Sequence, residues 1–242
     1  MSRSSLINFT CLEQSGCYIE YSQGNRGTHD IIKKSPLTAD GICQALSAKW
    51  IAQHANDDSL WNWLFLRGTT TVNKAAVVQL MHNYTDASSG ARFTSLGNPT
   101  TKYKYTLGLT YQDYVTDRYL ELYDVKRRQM VSGSFMGNKN ARIGTGANGF
   151  CLANRLHKKF LNTLGGSYVL IVIKGQHNNS QVGHAMAAYV GSHDVTFFDP
   201  NYGEFWFPSQ DKFTTWFTQY WSMSEYDKIF KDFYLVPYGK AM

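Results

Sequence analysis

Apolar and polar positions follow a helical period in some stretches of this chain and a strand period in others. From Cys43 to about Ala55, Leu46, Trp50 and Ile51 are interleaved with the small residues Ala45, Ala48 and Ala52, so the pattern is apolar around most of a helix's girth. It predicts a helix packed in the middle of a domain. Val72, Ala75, Ala76 and Leu80 predict a second helix over about 72–84, and Leu152, Leu156, Phe160 and Leu164 a third that Gly165-Gly166 ends. Tyr168 to Ile173 is an unbroken run of β-formers, and strands are also predicted at about 183–190, 195–199, 204–207 and 230–236, separated by polar turns. Phe213, Trp216, Phe217, Tyr220 and Trp221 recur at helical spacing, a stripe best read as core packing. Helices first and an antiparallel meander afterwards predict an α+β fold of two lobes.

The remaining stretches are polar. Residues 1–32 are rich in Ser, Gly and Asn and weakly periodic, and read as a flexible leader with at most one short ordered piece. That leader could carry a secretion signal, with a catalytic domain over 33–242. Residues 131–149 carry Gly133, Gly137, Gly144, Gly146 and Gly149 and read as a mobile linker or flap. Without a lysine-serine ending and a preceding apolar strand, that stretch is not a phosphate-binding loop.

Composition narrows the classes. The chain has 242 residues, 43% of them hydrophobic, enough for a large core. The four cysteines (Cys11, Cys17, Cys43 and Cys151) are too few and too irregular for a disulfide framework or a metal site, so neither metal nor cofactor is expected and the working environment is reducing. No apolar run is long enough to cross a membrane, and the N-terminus lacks that of a cleavable secretory signal. The expectation is a protein that stays in the cytosol or leaves by a route needing no such signal. The net charge of +6 is scattered, its densest group being Lys126-Arg127-Arg128. No nucleic-acid partner is expected from it, while contact with an anionic membrane surface stays open.

The chemistry lies in three short blocks. Asp40-Gly41-Ile42-Cys43 tips a loop into the first helix and places a thiol at its start. There the helix N-terminus, aided by an imidazolium, can bring a thiol from its usual pKa of about 8.5 to roughly 3.5–7.5. His184 follows in Gly183-His184-Ala185, and Asp199 in Phe198-Asp199-Pro200-Asn201. If residues 191–194 form a four-residue turn, His184 stands opposite Asn201 and diagonal to Asp199, on the same face of the sheet. A carboxylate–imidazole hydrogen bond is then within reach, and Cys43, His184 and Asp199 form a nucleophile, a base and its orienting group. Cys11, Cys17 and Cys151 lack such a setting. Gln23, Asn25 or the main chain of Gln44 are the candidates for stabilising an oxyanion.

These blocks, together with Ala48-Lys49-Trp50-Ile51 and Tyr202-Gly203-Glu204-Phe205, resemble the signature blocks of the YopT-type cysteine proteases. The resemblance implies a papain-like fold in which the helix bearing the nucleophile packs on an antiparallel sheet. It implies nucleophile Cys43, base His184 and orienting Asp199. It further implies a bacterial virulence effector, secreted without a cleavable signal, that cleaves a host protein in the host cytosol. Some members of the family cut small GTPases and others kinases. Two other readings use the same scaffold: a thiol acyltransferase, deamidase or transglutaminase, and a non-catalytic binding module. Nothing in the sequence fixes the oligomeric state.

Overall fold

The structure, a computed structural model, describes residues 3–24, 28–30, 32, 42–89, 111–128, 152–154, 156 and 167–240. The glycine-rich stretch 131–149, Cys151, Gly41, Asn25 and most of the helix expected after Cys151 lie outside these residues.

A seven-stranded antiparallel sheet runs through the middle of the molecule in the order β1-β6-β5-β4-β3-β7-β2. Its strands are β1 (Cys17–Glu20), β2 (Val125–Arg127), β3 (Ser167–His177), β4 (Ser180–Val190), β5 (Val195–Asp199), β6 (Gly203–Phe207) and β7 (Phe230–Lys240). β3 and β4 join through Asn178 and Asn179, both in the left-handed region that Asn tolerates best among non-glycine residues. The central strands are apolar on both faces, as strands covered on both sides must be.

One face packs against α2 (Cys43–Ala55), α3 (Leu60–Leu64), α4 (Lys74–Ser89) and α5 (Tyr111–Glu121). Leu170, Val172, Ala185, Ala187 and Phe198 point into that layer. The other face, with Val169, Ile171, Ile173, Met186, Ala188, Phe197 and Phe205, packs against α1 (Arg3–Asn8), α6 (Gln210–Met223) and α7 (Tyr226–Ile229). The aromatic stripe of α6 is core, as its spacing predicts: Phe213, Trp216, Phe217, Tyr220 and Trp221 are all buried. Helices thus cover both faces of the one sheet, with the thiol-bearing α2 packed against it, the α+β arrangement of helix on antiparallel sheet expected above.

Within the stretch 1–32, read from the sequence as a leader with one short ordered piece at most, the described residues carry more order than that. Residues 3–8 form α1, Phe9–Glu13 continue it as a π-helical turn, and Cys17–Glu20 pair with β6 as the sheet's edge strand. Leu6 and Phe9 are buried in the same layer as α6, and Thr10 accepts a hydrogen bond from Trp216 Nε1 at 2.9 Å. A few well-placed apolar side chains were enough to tie down a stretch whose composition is polar. The elements α3, α5, β1 and β2 also go beyond the sequence reading.

Pairing of β4 with β5 runs from Val190↔Val195 to Ala187↔Phe198. Continued, this register sets His184 against Asn201 in the turn after β5, as the four-residue turn requires. The pairing ends at Ala187↔Phe198, and His184 and Asp199 lie just beyond that end.

Candidate active site

Cys43 is the first residue of α2, and no side chain caps that end of the helix. Ile42 precedes it in a non-helical conformation, makes no side-chain hydrogen bond to the first turn, and the turn contains no acidic residue. The first N–H groups therefore have no intrahelical partner, at the positive end of the helix dipole. The sulfur supplies the missing acceptor: the main chain of Gln44 hydrogen-bonds to it, as does that of Ala185 on β4. One turn along, Ser47 Oγ donates to the Ala185 carbonyl at 3.1 Å. Ala45 and Ala48 on the helix share a buried layer with Ala185 and Ala187 on the strand. Side chains this small let the helix backbone approach the sheet closely and set the thiol beside the next residue of β4, His184.

The imidazole of His184 is 5% exposed and the carboxylate of Asp199 is fully buried. Nε2 lies 2.9 Å from Asp199 Oδ1, which also accepts the Asn201 N–H at 2.7 Å. Because Nε2 is taken by the carboxylate, Nδ1 is the ring nitrogen left for the sulfur, to which His184 is hydrogen-bonded. Asp199 Oδ2 accepts from Tyr220 Oη at 2.7 Å and from Tyr226 Oη at 3.0 Å. A buried carboxylate is costly unless its lone pairs are satisfied, and here both oxygens are doubly engaged.

The electrostatics follow from this geometry. Burial pushes the Cys43 thiol up, but the hydrogen bond and charge of His184, with the two main-chain hydrogen bonds, outweigh it and bring the pKa below its ordinary value. Burial alone would lower His184; the charge and hydrogen bond of Asp199, followed by those of Cys43, raise it to about 10. Between those limits the stable form is thiolate with imidazolium. His54 on α2 shows the contrast: burial outweighs its acidic neighbours and lowers it, and it packs between Trp50, Tyr168 and Tyr189 as a core histidine.

Cys43 and His184 open on a cleft of about 440 Å³. Gln44 and Gln112 line it on one side, and Lys174, Gln181 and Val182 on the other. The α5 wall is held by Tyr234 Oη on Asp113, by Tyr238 Oη on Asp117, and by Gln44 Nε2 on Thr116 Oγ1 at 2.9 Å. Larger hollows of about 920 and 760 Å³ lie beside the α3–α4 connection and β1, but none of the three reactive groups lines them. The smaller cleft is where chemistry can occur.

The three residues singled out from the sequence are thus neighbours. Cys11, in the π-helical turn, and Cys17, exposed on the edge strand, are not among them. Gln23 reaches the site by another route than an oxyanion donor's: its Nε2 donates to Asn201 Oδ1 at 2.8 Å. Asn201 Nδ2 in turn donates to Tyr226 Oη at 3.0 Å and lies 3.4 Å from His184 Nε2. Asn201, Tyr220 and Tyr226 were not legible as site residues. The first looks like a turn residue and the second like part of an apolar stripe.

Over residues 14–232 the chain matches the peptidase family described as Yersinia/Haemophilus virulence surface antigen, and it belongs to that family. It is 30% identical over 230 residues to the cysteine protease yopT1 of Yersinia enterocolitica, covering 91% of this chain and 59% of that protein. Cysteine protease YopT of Yersinia pestis is 30% identical over 224 residues, with the same coverage of 91% and 59%. The chain therefore spans 59% of the length of these curated relatives. Among solved structures, Pseudomonas avirulence protein AvrPphB is similar at a TM-score of 0.47 and 18% identity, covering 84% of this chain and 94% of that one.

Proposed function

We propose that this member of the family is a cysteine endopeptidase, with Cys43 as nucleophile, His184 as acid and base, and Asp199 as the group that orients His184. The observation that carries the reading is one imidazole hydrogen-bonded on one side to the Cys43 sulfur and on the other to Asp199 Oδ1 at 2.9 Å. The thiolate attacks the scissile carbonyl carbon and forms a tetrahedral oxyanion, for which the first N–H groups of α2 are at hand. Collapse expels the amine, which takes its proton from imidazolium Nδ1 and leaves an S-acyl enzyme. The neutral imidazole then takes a proton from water, the hydroxide attacks the acyl carbon, and the returning thiolate restores the ion pair. Asp199 keeps the proton on Nε2 throughout and so aims Nδ1 at the reacting atoms.

The relatives named as cysteine proteases of Yersinia and the family's description as a virulence surface antigen support a bacterial virulence protease. Its secretion without a cleavable signal and its action on a host protein in the host cytosol follow from the resemblance of the signature blocks. Of the two substrate classes implied by the resemblance, a small GTPase or a kinase, the net charge of +6 argues mildly against the basic tail of the first. The test is the appearance of new protein N-termini in a host-cell lysate incubated with wild-type protein or with Cys43→Ala. Wild type should release discrete new N-termini. Cys43→Ala should lose this activity by about 10⁶ while remaining folded, since loss of the nucleophile disables the whole unit. New isopeptide bonds or deamidated side chains without new N-termini would replace proteolysis by another acyl transfer.

A further inference from the structure

Asp199 is held on both sides, and only one side serves His184. Its Oδ2 faces away from the imidazole and receives two phenol hydroxyls, Tyr220 from α6 at 2.7 Å and Tyr226 from α7 at 3.0 Å. Both side chains are buried, and both stand among apolar rings where a phenol gains little unless its hydroxyl has a partner. Tyr226 is tied in most tightly. Its oxygen also accepts from Asn201 Nδ2 at 3.0 Å, and its ring centroid lies 5.6 Å from that of His184. The residue before it, Glu225, adopts φ 61°, ψ 15°, a left-handed conformation that costs a non-glycine residue free energy. This turn starts α7 and brings Tyr226 under the carboxylate.

Resting on the peptidase reading above, we infer that Tyr220 and Tyr226 are positioning residues for the reaction: a phenol pair that fixes the plane of the Asp199 carboxylate so that Oδ1 stays on His184 Nε2. A carboxylate held only through Oδ1 can rotate about its Cβ–Cγ bond. Anchored through Oδ2 by donors from two different helices, it cannot turn without breaking both bonds. The imidazolium, and through it the Cys43 thiolate, then keeps its counter-charge at hydrogen-bonding distance. Other groups facing this carboxylate are His184 on β4, with Cys43 of α2 behind it, and Asn201 and Tyr202 in the β5–β6 turn. Glu225 at the start of α7 is exposed and paired with Lys228. Gln23, from the segment after β1, steadies Asn201, and Tyr18 Oη is spent on the Tyr202 carbonyl at 2.6 Å.

Tyr220→Phe and Tyr226→Phe remove one hydroxyl each and keep the ring. In the full chain, iodoacetamide labelling of Cys43 should be roughly tenfold slower at pH 6 in either variant than in wild type, the scale of one lost hydrogen bond to a charged group. The rates should converge near pH 9.5, where the thiol ionises without help. If the hydroxyls serve packing alone, both variants will melt at lower temperature while the pH dependence of Cys43 labelling matches wild type, and the inference falls. Should one variant fail to fold, the other decides. If wild-type Cys43 itself labels only with the pH dependence of a free thiol, the peptidase reading fails and the phenol pair with it. That outcome is distinct from a wild type reactive at pH 6 whose Tyr→Phe variants do not differ from it.

Discussion

A thiol and an imidazole placed together at a helix N-terminus alter each other in opposite senses. Cys43 titrates below its ordinary value because the charge and hydrogen bond of His184 overcome the effect of burial, while Asp199 and then Cys43 lift His184 to about 10 against the same effect. The sign of the pH dependence follows. His184 has a folded pKa above its unfolded value of about 6.5, so its contribution to stability is fully present below that value and is lost as pH rises through about 10. The reactive ion pair exists between the lowered pKa of Cys43 and the raised pKa of His184. Alkylation of Cys43 should therefore be fast at about pH 6, and His184→Ala should shift its midpoint up towards the free-thiol value of about 8.5. Labelling rates over a pH series, with the alkylated residue identified by mass spectrometry, check this. An unchanged profile in the mutant would show that the two side chains do not act on each other in solution.

At the scale of elements, the site depends on where β5 ends. The turn from Asp199 to Gly203 carries the Asp199 carboxylate, the Asn201 amide and the Tyr202 carbonyl, and it closes with Gly203 at φ 121°. A β-carbon on Gly203 would stand 2.1 Å from the Ile19 carbonyl oxygen on β1, so that strand could not keep its place beside β6. Gly203→Ala should cost more than about 1 kcal/mol, lowering the melting temperature by at least ~2–4 °C. It should also reduce kcat more than it raises KM, because Asp199 shifts while the cleft walls on α5 and β3 do not. Unaltered kinetics in a destabilised variant would separate the turn from the chemistry. Much of this arrangement could be read from residue patterns. The spacing around Leu46, Trp50 and Ile51 marks α2, and the largely apolar runs with the polar turns between them mark β3, β4 and β5 with their register. What could not be read has physical reasons. In α5 the buried Val115, Tyr119 and Leu120 sit among Asp113 and Asp117, whose charges are held by Tyr234 and Arg127 elsewhere in the chain, and Arg118, which pairs with Glu121 on the same helix. β1 and β2 are edge strands of four and three residues with mixed burial, too short to show a period. Tyr220 was placed correctly in an aromatic stripe, but only the crossing of α6 over β5 reveals what its hydroxyl does.

At the scale of the whole molecule, the first residues of the chain are part of the layer that backs the site. Leu6 and Phe9 belong to the buried layer that contains Phe207, Phe213 and Trp216. Between them and α6 sits Thr10, fully buried, whose Oγ1 donates to the Leu6 carbonyl at 2.8 Å and accepts from Trp216 Nε1 at 2.9 Å. Trp216 stacks on Tyr220 with centroids 4.5 Å apart, so the N-terminal helix supports the ring whose hydroxyl reaches Asp199. Removing residues 1–13 would return about two large side chains' worth of burial to solvent, on the order of 3–6 kcal/mol, and leave the indole N–H without its acceptor. At ~2–4 °C per kcal/mol for a domain of this size, the melting temperature should fall by roughly 6–24 °C. Activity at a temperature well below the new midpoint should fall less steeply, since β1 and Gln23 remain. The opposite result, an unchanged melting curve for the shortened chain, would mean that α1 and the π-helical turn do not hold their places in solution. The leader reading of residues 1–32 would then stand for their first thirteen.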